Sequence, residues 1–237
     1  MDERPEVWPL IGYQQAEGAF LHAVELGRLP HAWLLEGPSG IGKSSLAHRM
    51  AAYILGADCS SGTLASLQSD PIIQKMKAGA HPDYRYIHRM VDEKGRKKQD
   101  IPVEAIRELS RFFALKSGMN GWRVAIIDSV DELNTSGANA LLKLLEEPPG
   151  RCLLLLIYHR KEALLPTIRS RCRRLQLSPL SKQETQEVLD MCAPKRGEET
   201  HILDLAEGRP GHALRLAGQE GLLAANAAHN FLSSLPN

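Results

Sequence analysis

The sequence has few cysteines, and they lie far apart. The four of them are Cys59, Cys152, Cys172 and Cys192. No pair has the Cys-x-x-Cys spacing of a structural zinc site, and nothing in their arrangement suggests a disulfide framework. We therefore predict neither a zinc module nor disulfide cross-links.

Long apolar runs and an excess of charge of one sign are also lacking. No stretch approaches the roughly 18 apolar residues that a membrane span needs. The first residues, MDERPEVWPLIG, are charged and lack the apolar centre of a signal peptide. The formal net charge of +1 neither demands nor excludes a nucleic-acid partner. We therefore expect a cytoplasmic protein with no membrane partner, in which any DNA contact comes from a local patch.

One segment carries a strong chemical signal, because residues 37–44 match the pattern G-x-x-x-x-G-K-[ST] of a phosphate-binding loop. Glycines let backbone N–H groups curl around phosphate oxygens, the lysine reaches the β- and γ-phosphates, and the serine hydroxyl ligates Mg²⁺. An apolar run before the loop and a helical pattern after it supply the strand and helix that such a loop requires. We predict ATP or ADP with Mg²⁺ as the cofactor. The predicted binding residues are Gly37, Pro38, Ser39, Gly40, Ile41, Gly42, Lys43 and Ser44.

A second segment completes the predicted metal site. Residues 123–128 (RVAIID) read as a buried strand that ends in Asp128. The Mg²⁺ of a phosphate-loop site requires a carboxylate at such a strand end, within reach of the metal's water shell. We therefore predict that Ser44 and Asp128 hold Mg²⁺ together with the nucleotide.

Apolar runs alternate with amphipathic helices over most of the chain, a pattern typical of an α/β fold whose parallel sheet is covered on both faces. The pattern changes at Ser178 and Pro179, beyond which no strand is predicted. We expect a nucleotide-binding domain over 1–178 and a small all-helical domain over 179–237. Strands are predicted at 31–35, 84–88, 123–128, 152–157 and 173–177, and helices at 14–27, 43–55, between 56 and 80, 102–115, 138–147, 181–191, 198–207, 210–218 and 222–235.

Four segments together resemble one family. They read GRLPHAWLLEGPSGIGKSSLA, HPD, GWRVAIIDSVDELNTSGANALLKLLEEPPG and LLPTIRSRCRRLQLSPLS. This combination resembles the clamp-loader subunits of bacterial DNA polymerase III, in the AAA+ superfamily, and their delta-prime branch in particular. The resemblance extends from about residue 11 to residue 217. The NALLKLLEEPP and SRC signatures make it specific, which the phosphate loop alone would not.

The resemblance implies a P-loop NTPase domain with a five-stranded parallel sheet, followed by a helical lid. It also implies a helical collar that joins five subunits in a ring, and we expect this collar to be absent or truncated here. The expected partners are the gamma/tau and delta subunits and, through them, the sliding clamp and primer-template DNA. The basic run at 94–98 is interpreted either as a solvated hairpin tip or as a DNA contact.

Departures from the family pattern bear on hydrolysis. Ser129 follows Asp128 where active relatives carry a glutamate that polarises the attacking water, although Asp131 or Glu132 could partly replace it. Gly211 stands where hydrolysing relatives carry a lid arginine. A polar residue that senses the γ-phosphate is not evident at 158–159. Because such groups contribute several powers of ten in rate, we expect nucleotide binding with weak or no hydrolysis.

Arg171 is the predicted catalytic residue. In the SRC triplet that Ser170, Arg171 and Cys172 resemble, the arginine reaches across a subunit interface and stabilises the charge on a neighbour's γ-phosphate. Without the resemblance, Arg171 would be one surface arginine in a basic run. The resemblance therefore makes it an arginine finger acting in trans.

The function predicted from these residues is that of a delta-prime-like clamp-loader subunit, a non-polymerising part of a DNA-directed DNA polymerase holoenzyme. It would bind nucleotide, lend its arginine and help to load the sliding clamp onto primed DNA during replication. One alternative is a gamma/tau-like subunit that hydrolyses ATP itself. Another is a stand-alone phosphate-loop enzyme such as a nucleotide kinase.

Overall fold

A computed structural model describes residues 10–60, 62–90, 100–115, 117–118, 121–159, 164–192 and 199–218. These residues form two compact units. The first unit contains residues 13–37 and 43–177. The second contains 10–12, 38–42 and the residues from 178 onward. The basic run at 94–98 and the predicted helix at 222–235 lie outside the described residues. The domain boundary at 178/179 stays a prediction.

The first unit is built on a five-stranded parallel sheet with strand order β2-β3-β4-β1-β5. Every residue of β1 and β4 is buried, as expected for central strands of a sheet covered on both faces. All five strands were predicted from the sequence, with ends that differ by no more than one residue. The strands are β1 Ala32–Glu36, β2 Tyr84–His88, β3 Arg123–Asp128, β4 Cys152–Tyr158 and β5 Arg173–Gln176.

The described part of this unit contains six helices, and in two of them a side chain caps the start. Asp70 caps α3 by accepting from the N–H groups of Ile72 and Ile73, and Gly79 ends the helix in the left-handed conformation. Asn134 caps α5 through the N–H of Gly137. A short 3-10 turn over Val130–Glu132 precedes α5. The helices are α1 Gln14–Glu25, α2 Lys43–Ile54, α3 Pro71–Ala78, α4 Val103–Ala114, α5 Thr135–Glu146 and α6 Pro166–Arg169.

The second unit is helical in its described part, with α7 Lys182–Cys192, α8 Glu199–Ala206 and α9 Pro210–Ala217. A capping box begins α7. The Glu184 carboxylate accepts from the N–H and hydroxyl of Ser181 at 2.8 Å each, and the Ser181 hydroxyl accepts from the N–H of Glu184 at 3.1 Å. A small apolar core holds these helices together and includes Leu189, Ile202, Ala206, Ala213 and Leu216.

The HPD segment has a structural role in the first unit. Asp83 is fully buried, and its carboxylate accepts from the N–H of Gly118 at 2.9 Å and from the hydroxyl of Ser117 at 3.0 Å. Arg123 lies 3.5 Å from the same carboxylate. Asp83 thus holds the turn that leads into β3. His81 is 1% exposed, and its Nδ1 accepts from the N–H of Asp83 at 3.2 Å.

This histidine should make folding stability depend on pH. Burial is the main cause that lowers the pKa of His81; Lys75 lowers it further, and Asp83 opposes the shift. The unfolded chain therefore takes up a proton near pH 6.5 that the folded chain resists. Stability contributed by the neutral ring is present above that pH and is lost as the pH falls. We expect His81 to lower the free energy of unfolding by at most about 1.4 kcal/mol per pH unit below 6.5.

The change His81→Asn tests this expectation, because asparagine keeps an acceptor for the N–H of Asp83 and does not titrate. Denaturant unfolding at pH 7.5 and pH 5.5 should show a smaller loss of stability for the variant than for the wild type. An equal loss in both proteins would contradict the assignment to His81.

Candidate functional site

The first unit holds the two ends of the phosphate loop, Gly37 after β1 and Lys43 at the start of α2. Lys43 is 2% exposed, and its Nζ donates to the carbonyl oxygen of Gly37 at 2.6 Å. The N–H of Gly37 donates to the carbonyl oxygen of Tyr158 at 3.2 Å. The loop is thus closed by its own lysine, and its first residue is fixed to the end of β4. The N-terminal end of α2 provides a partial positive charge beside the lysine.

The second unit contains the middle of the loop, residues 38–42. Gly40 and Gly42 have φ angles of +85° and +99°, which only glycine adopts without strain. The N–H of Gly211 donates to the carbonyl oxygen of Gly40 at 2.7 Å. A Cβ atom at Gly211 would lie 3.0 Å from that oxygen, closer than ordinary van der Waals contact. This close backbone contact favours a glycine at residue 211.

Tyr86 lies beside Asp128, one of the two predicted magnesium ligands. Its hydroxyl donates to Oδ2 of Asp128 at 2.9 Å. Burial and the neighbouring Asp128 raise the pKa of Tyr86, so this hydroxyl stays protonated and acts as a donor. His48 packs beside it, with its ring 5.1 Å from that of Tyr86 and its Nδ1 2.7 Å from the carbonyl oxygen of Ser44.

Asp128 ends β3 with its carboxylate ionised. Burial alone would raise its pKa, but the hydrogen bond and charge of His159, together with Tyr86, hold the pKa below its ordinary value. Nε2 of His159 lies 3.4 Å from Oδ1 of Asp128. An ionised carboxylate and a hydroxyl are oxygen ligands of the kind that Mg²⁺ prefers. The side chains of Ser44 and Asp128 therefore fit a magnesium ion that a nucleotide brings with it. Bound there, the ion would neutralise phosphate charge.

The residues after Asp128 are engaged in structural contacts. The Ser129 hydroxyl is buried and donates to Oδ1 of Asp131 at 2.8 Å. The same carboxylate accepts from the N–H of His159 at 2.9 Å. Glu132 pairs with Arg89 at 2.7 Å. Both carboxylates that the sequence offered as substitutes for the missing glutamate are thus used to hold the chain after β3.

Arg171 lies at the surface of the first unit, just after α6. Its side chain is 35% exposed and pairs with Glu146, the last residue of α5, at 2.8 Å. Nη1 also donates to the carbonyl oxygen of Thr167 at 3.0 Å. On either side, Ile168 lies in the core and Cys172 packs partly against it. Burial raises the pKa of the Cys172 thiol to about 12, so this cysteine is a neutral packing group.

Comparison with known families identifies the family to which the chain belongs. The family model described as "DNA polymerase III, delta subunit" matches residues 13–181. The chain belongs to this family. The match covers the phosphate loop, the strand that ends in Asp128 and the segment that carries Arg171.

Individual relatives of this delta-subunit family member are subunits of DNA polymerase III. The chain is 37% identical to the DNA polymerase III subunit delta' of Pseudomonas aeruginosa, over 90% of this chain and 61% of the relative. It is 32% identical to the delta' subunit of Escherichia coli, over 90% of this chain and 59% of the relative. It is also 32% identical to the gamma subunit of Buchnera aphidicola, over 87% and 56%. The chain thus spans about three fifths of the length of these relatives.

Solved structures agree on the fold. A DNA polymerase III gamma-subunit-related protein from Thermotoga maritima matches with a TM-score of 0.56 and 19% identity, over 93% of this chain and 64% of that one. The α/β fold with a five-stranded parallel sheet is therefore that of the AAA+ phosphate-loop proteins, as predicted. Proteins of this class generally bind nucleotide with Mg²⁺. Among the helices that the structure describes in this family member, none is long and apolar enough to cross a membrane.

The structure also brings in two residues that the sequence did not assign. Tyr86 donates to the predicted magnesium ligand Asp128, and Glu36 pairs with the arginines that flank the Ser170–Cys172 triplet. The alternation of Tyr84, Tyr86 and His88 along β2 was a signal that these side chains share one face. The roles of the loop residues, Asp128 and Arg171 in this delta-family chain remain predictions.

Proposed function

We propose that this chain acts as a delta-prime-like subunit of a DNA polymerase III clamp loader. It would bind ATP or ADP with Mg²⁺, hydrolyse it slowly or not at all, and supply Arg171 to the active site of a neighbouring subunit. Its partners would be the gamma/tau and delta subunits and, through them, the sliding clamp and primer-template DNA. The observation that carries this proposal is the combination of a surface arginine in an SRC segment with a phosphate loop that lacks catalytic partners.

The absence of partners for hydrolysis is argued from the residues around Asp128. Ser129 cannot act as a general base near neutral pH, because the pKa of a hydroxyl is far above 7. Asp131 accepts hydrogen bonds from the Ser129 hydroxyl and from the N–H of His159 after β4, and Glu132 is paired with Arg89. Gly211 supplies no positive charge. The loop can therefore hold phosphates, but two of the groups that stabilise phosphoryl transfer, a glutamate after Asp128 and an arginine at residue 211, are replaced.

The surface location of Arg171 supports a role in trans. Within the described part of the chain it pairs with Glu146, which is itself 49% exposed. Exposed ion pairs of this kind contribute little to stability. The guanidinium can thus exchange Glu146 for a phosphate at small cost. A γ-phosphate presented by an adjacent subunit offers the planar fork two strong acceptors.

A turnover assay tests the proposal directly. The natural full-length polypeptide, purified without partners, should bind MgATP but release phosphate more slowly than about 0.01 per second, below the range of ordinary enzyme turnover. Adding it to the gamma/tau and delta subunits, with clamp and primed DNA, should raise ATP hydrolysis by the assembly. Ordinary turnover by the isolated subunit would contradict the proposal.

The second candidate is a gamma-like ATPase, and the similarity to a gamma subunit favours it. This candidate predicts phosphate release by the chain when another subunit supplies an arginine to it. The two candidates predict different effects on ATP hydrolysis when the phosphate-loop lysine of one subunit is changed. In the proposed function, changing the phosphate-loop lysine of gamma/tau abolishes hydrolysis by the assembly, whereas changing Lys43 does not.

A further inference from the structure

Glu36 is a fully buried carboxylate at the end of β1, immediately before the phosphate loop. Both of its oxygens are engaged by arginine. Arg174 donates from Nε to Oε1 at 3.1 Å and from Nη2 to Oε2 at 2.9 Å, and Nε of Arg169 lies 3.2 Å from Oε1. A buried charge is costly unless it is paired, and a bidentate arginine fixes geometry as well as charge. The buried Glu36 carboxylate therefore depends on both arginines and on the geometry in which they bind it.

The two arginines flank the segment that carries Arg171. Arg169 is the last residue of α6, directly before Ser170, and Arg174 lies in β5, two residues after Cys172. Their side chains are 39% and 50% exposed, yet both guanidinium groups contact the same buried carboxylate. The hydrogen bonds and charge of Glu36 raise the pKa of Arg174. One buried carboxylate thus holds both ends of the segment, while the Arg171 side chain between them stays partly exposed.

Further contacts connect this anchor with the start of the phosphate loop. The carbonyl oxygen of Glu36 accepts from the N–H of Leu177 at 2.8 Å. The guanidinium carbon of Arg169 lies 5.7 Å from the ring centre of Tyr158, whose carbonyl oxygen accepts from the N–H of Gly37. The residues that fix the beginning of the loop are therefore the ones that fix the Arg171 segment.

We propose that Glu36 is a positioning residue for Arg171. By holding Arg169 and Arg174 together, it keeps the intervening turn in one conformation and presents the Arg171 guanidinium at a fixed place for the neighbouring subunit. This inference rests on the proposed function, in which Arg171 acts in trans. Catalysis by a presented group depends on its placement, and a misplacement of about 1 Å can cost about a hundredfold in rate.

The change Glu36→Gln tests the inference in the assembled clamp loader. Glutamine has nearly the same shape, but it loses the charge and turns an N–H group toward one guanidinium. We expect kcat for ATP hydrolysis by the neighbouring site to fall about tenfold to a hundredfold, with KM nearly unchanged, because the finger acts in the transition state. The matched control is Glu17→Gln, which breaks the half-buried pair of Glu17 with Arg49 on α2, away from the Arg171 segment. This control should leave kcat unchanged.

A double variant separates positioning from a general structural effect. If Glu36 acts through Arg171, then Glu36→Gln adds no further loss of kcat in a protein that already carries Arg171→Ala. A further loss in the double variant, or an unchanged kcat in Glu36→Gln, would overturn the inference while leaving the proposed function intact. If Arg171→Ala alone has no effect on the assembly, the proposed function itself fails.

Changing Arg174 provides a second test that leaves the buried Glu36 carboxylate in place. Arg174→Lys keeps the positive charge at a half-exposed side chain but removes the bidentate geometry. We expect the same selective loss of kcat, and again no additional loss when Arg171 is alanine. This variant can be measured even if Glu36→Gln does not fold. A normal kcat with Arg174→Lys would argue against the inference.

Discussion

Replacing Arg171 with alanine is expected to slow ATP hydrolysis about a thousandfold at the active site that this arginine faces in the assembled clamp loader. An arginine finger contributes roughly 10³–10⁵ in rate, because it stabilises charge that develops on the transferred phosphoryl group. In the free chain, the same change removes one surface ion pair with Glu146 and one hydrogen bond to Thr167. Folding and this subunit's own nucleotide affinity should therefore be nearly unchanged.

Pre-steady-state phosphate release from the reconstituted assembly measures this effect site by site. Arg173→Ala provides the matched control, because it removes an exposed arginine from the same basic run, two residues away. Arg171→Lys distinguishes charge from geometry, since lysine keeps the charge but lacks the planar fork. Equal effects of the Arg171 and Arg173 changes would show that only the general positive charge of the run matters.

Replacing Lys43 with methionine is expected to weaken binding of MgATP and MgADP at least about a hundredfold, or about 2.7 kcal/mol. Lys43 is almost fully buried and holds the carbonyl oxygen of Gly37. In our proposal, its ammonium group turns from that oxygen to the β- and γ-phosphates when nucleotide binds. Methionine has a similar length and fills the same space, so the loss is chiefly one of charge and hydrogen bonding.

Calorimetric titration of the natural polypeptide with each nucleotide measures this loss, and Lys75→Met on α3 controls for the removal of an exposed lysine. A thermal melt should show that the Lys43 variant still folds. If the wild-type chain binds neither nucleotide, or if the Lys43 variant binds as tightly as the wild type, the loop is not a working nucleotide site.

The fold could be predicted largely because its signals are local. The runs RVAIID and CLLLLI are short and mostly apolar, as buried parallel strands are, and they became β3 and β4. The end of α5 follows from Pro148 and Pro149, and the start of α7 from its capping box. Motif spacing likewise predicted the loop residues and Asp128, since each stands at a strand end that the chain order defines.

The contacts that complete the candidate site were not predictable in the same way. Tyr86 lies 42 residues before Asp128, and Glu36 lies 138 residues before Arg174. Each pair meets only because two strands come together in a sheet whose order differs from the chain order. A single sequence shows the residue types but not which of them the sheet order places side by side. The pairing of Arg171 with Glu146 was missed because it depends on how the end of α6 lies against the end of α5.

The position of β5 in the sheet has a consequence for the subunit before assembly. It is an edge strand of only four residues, and three of them, including Arg173 and Arg174, are exposed. Short edges lined with positive charge resist pairing with strands of other chains. The arginine-rich segment around Arg171 therefore also disfavours aggregation of the unassembled subunit, and neutralising several of its charges at once should reduce solubility before it affects folding.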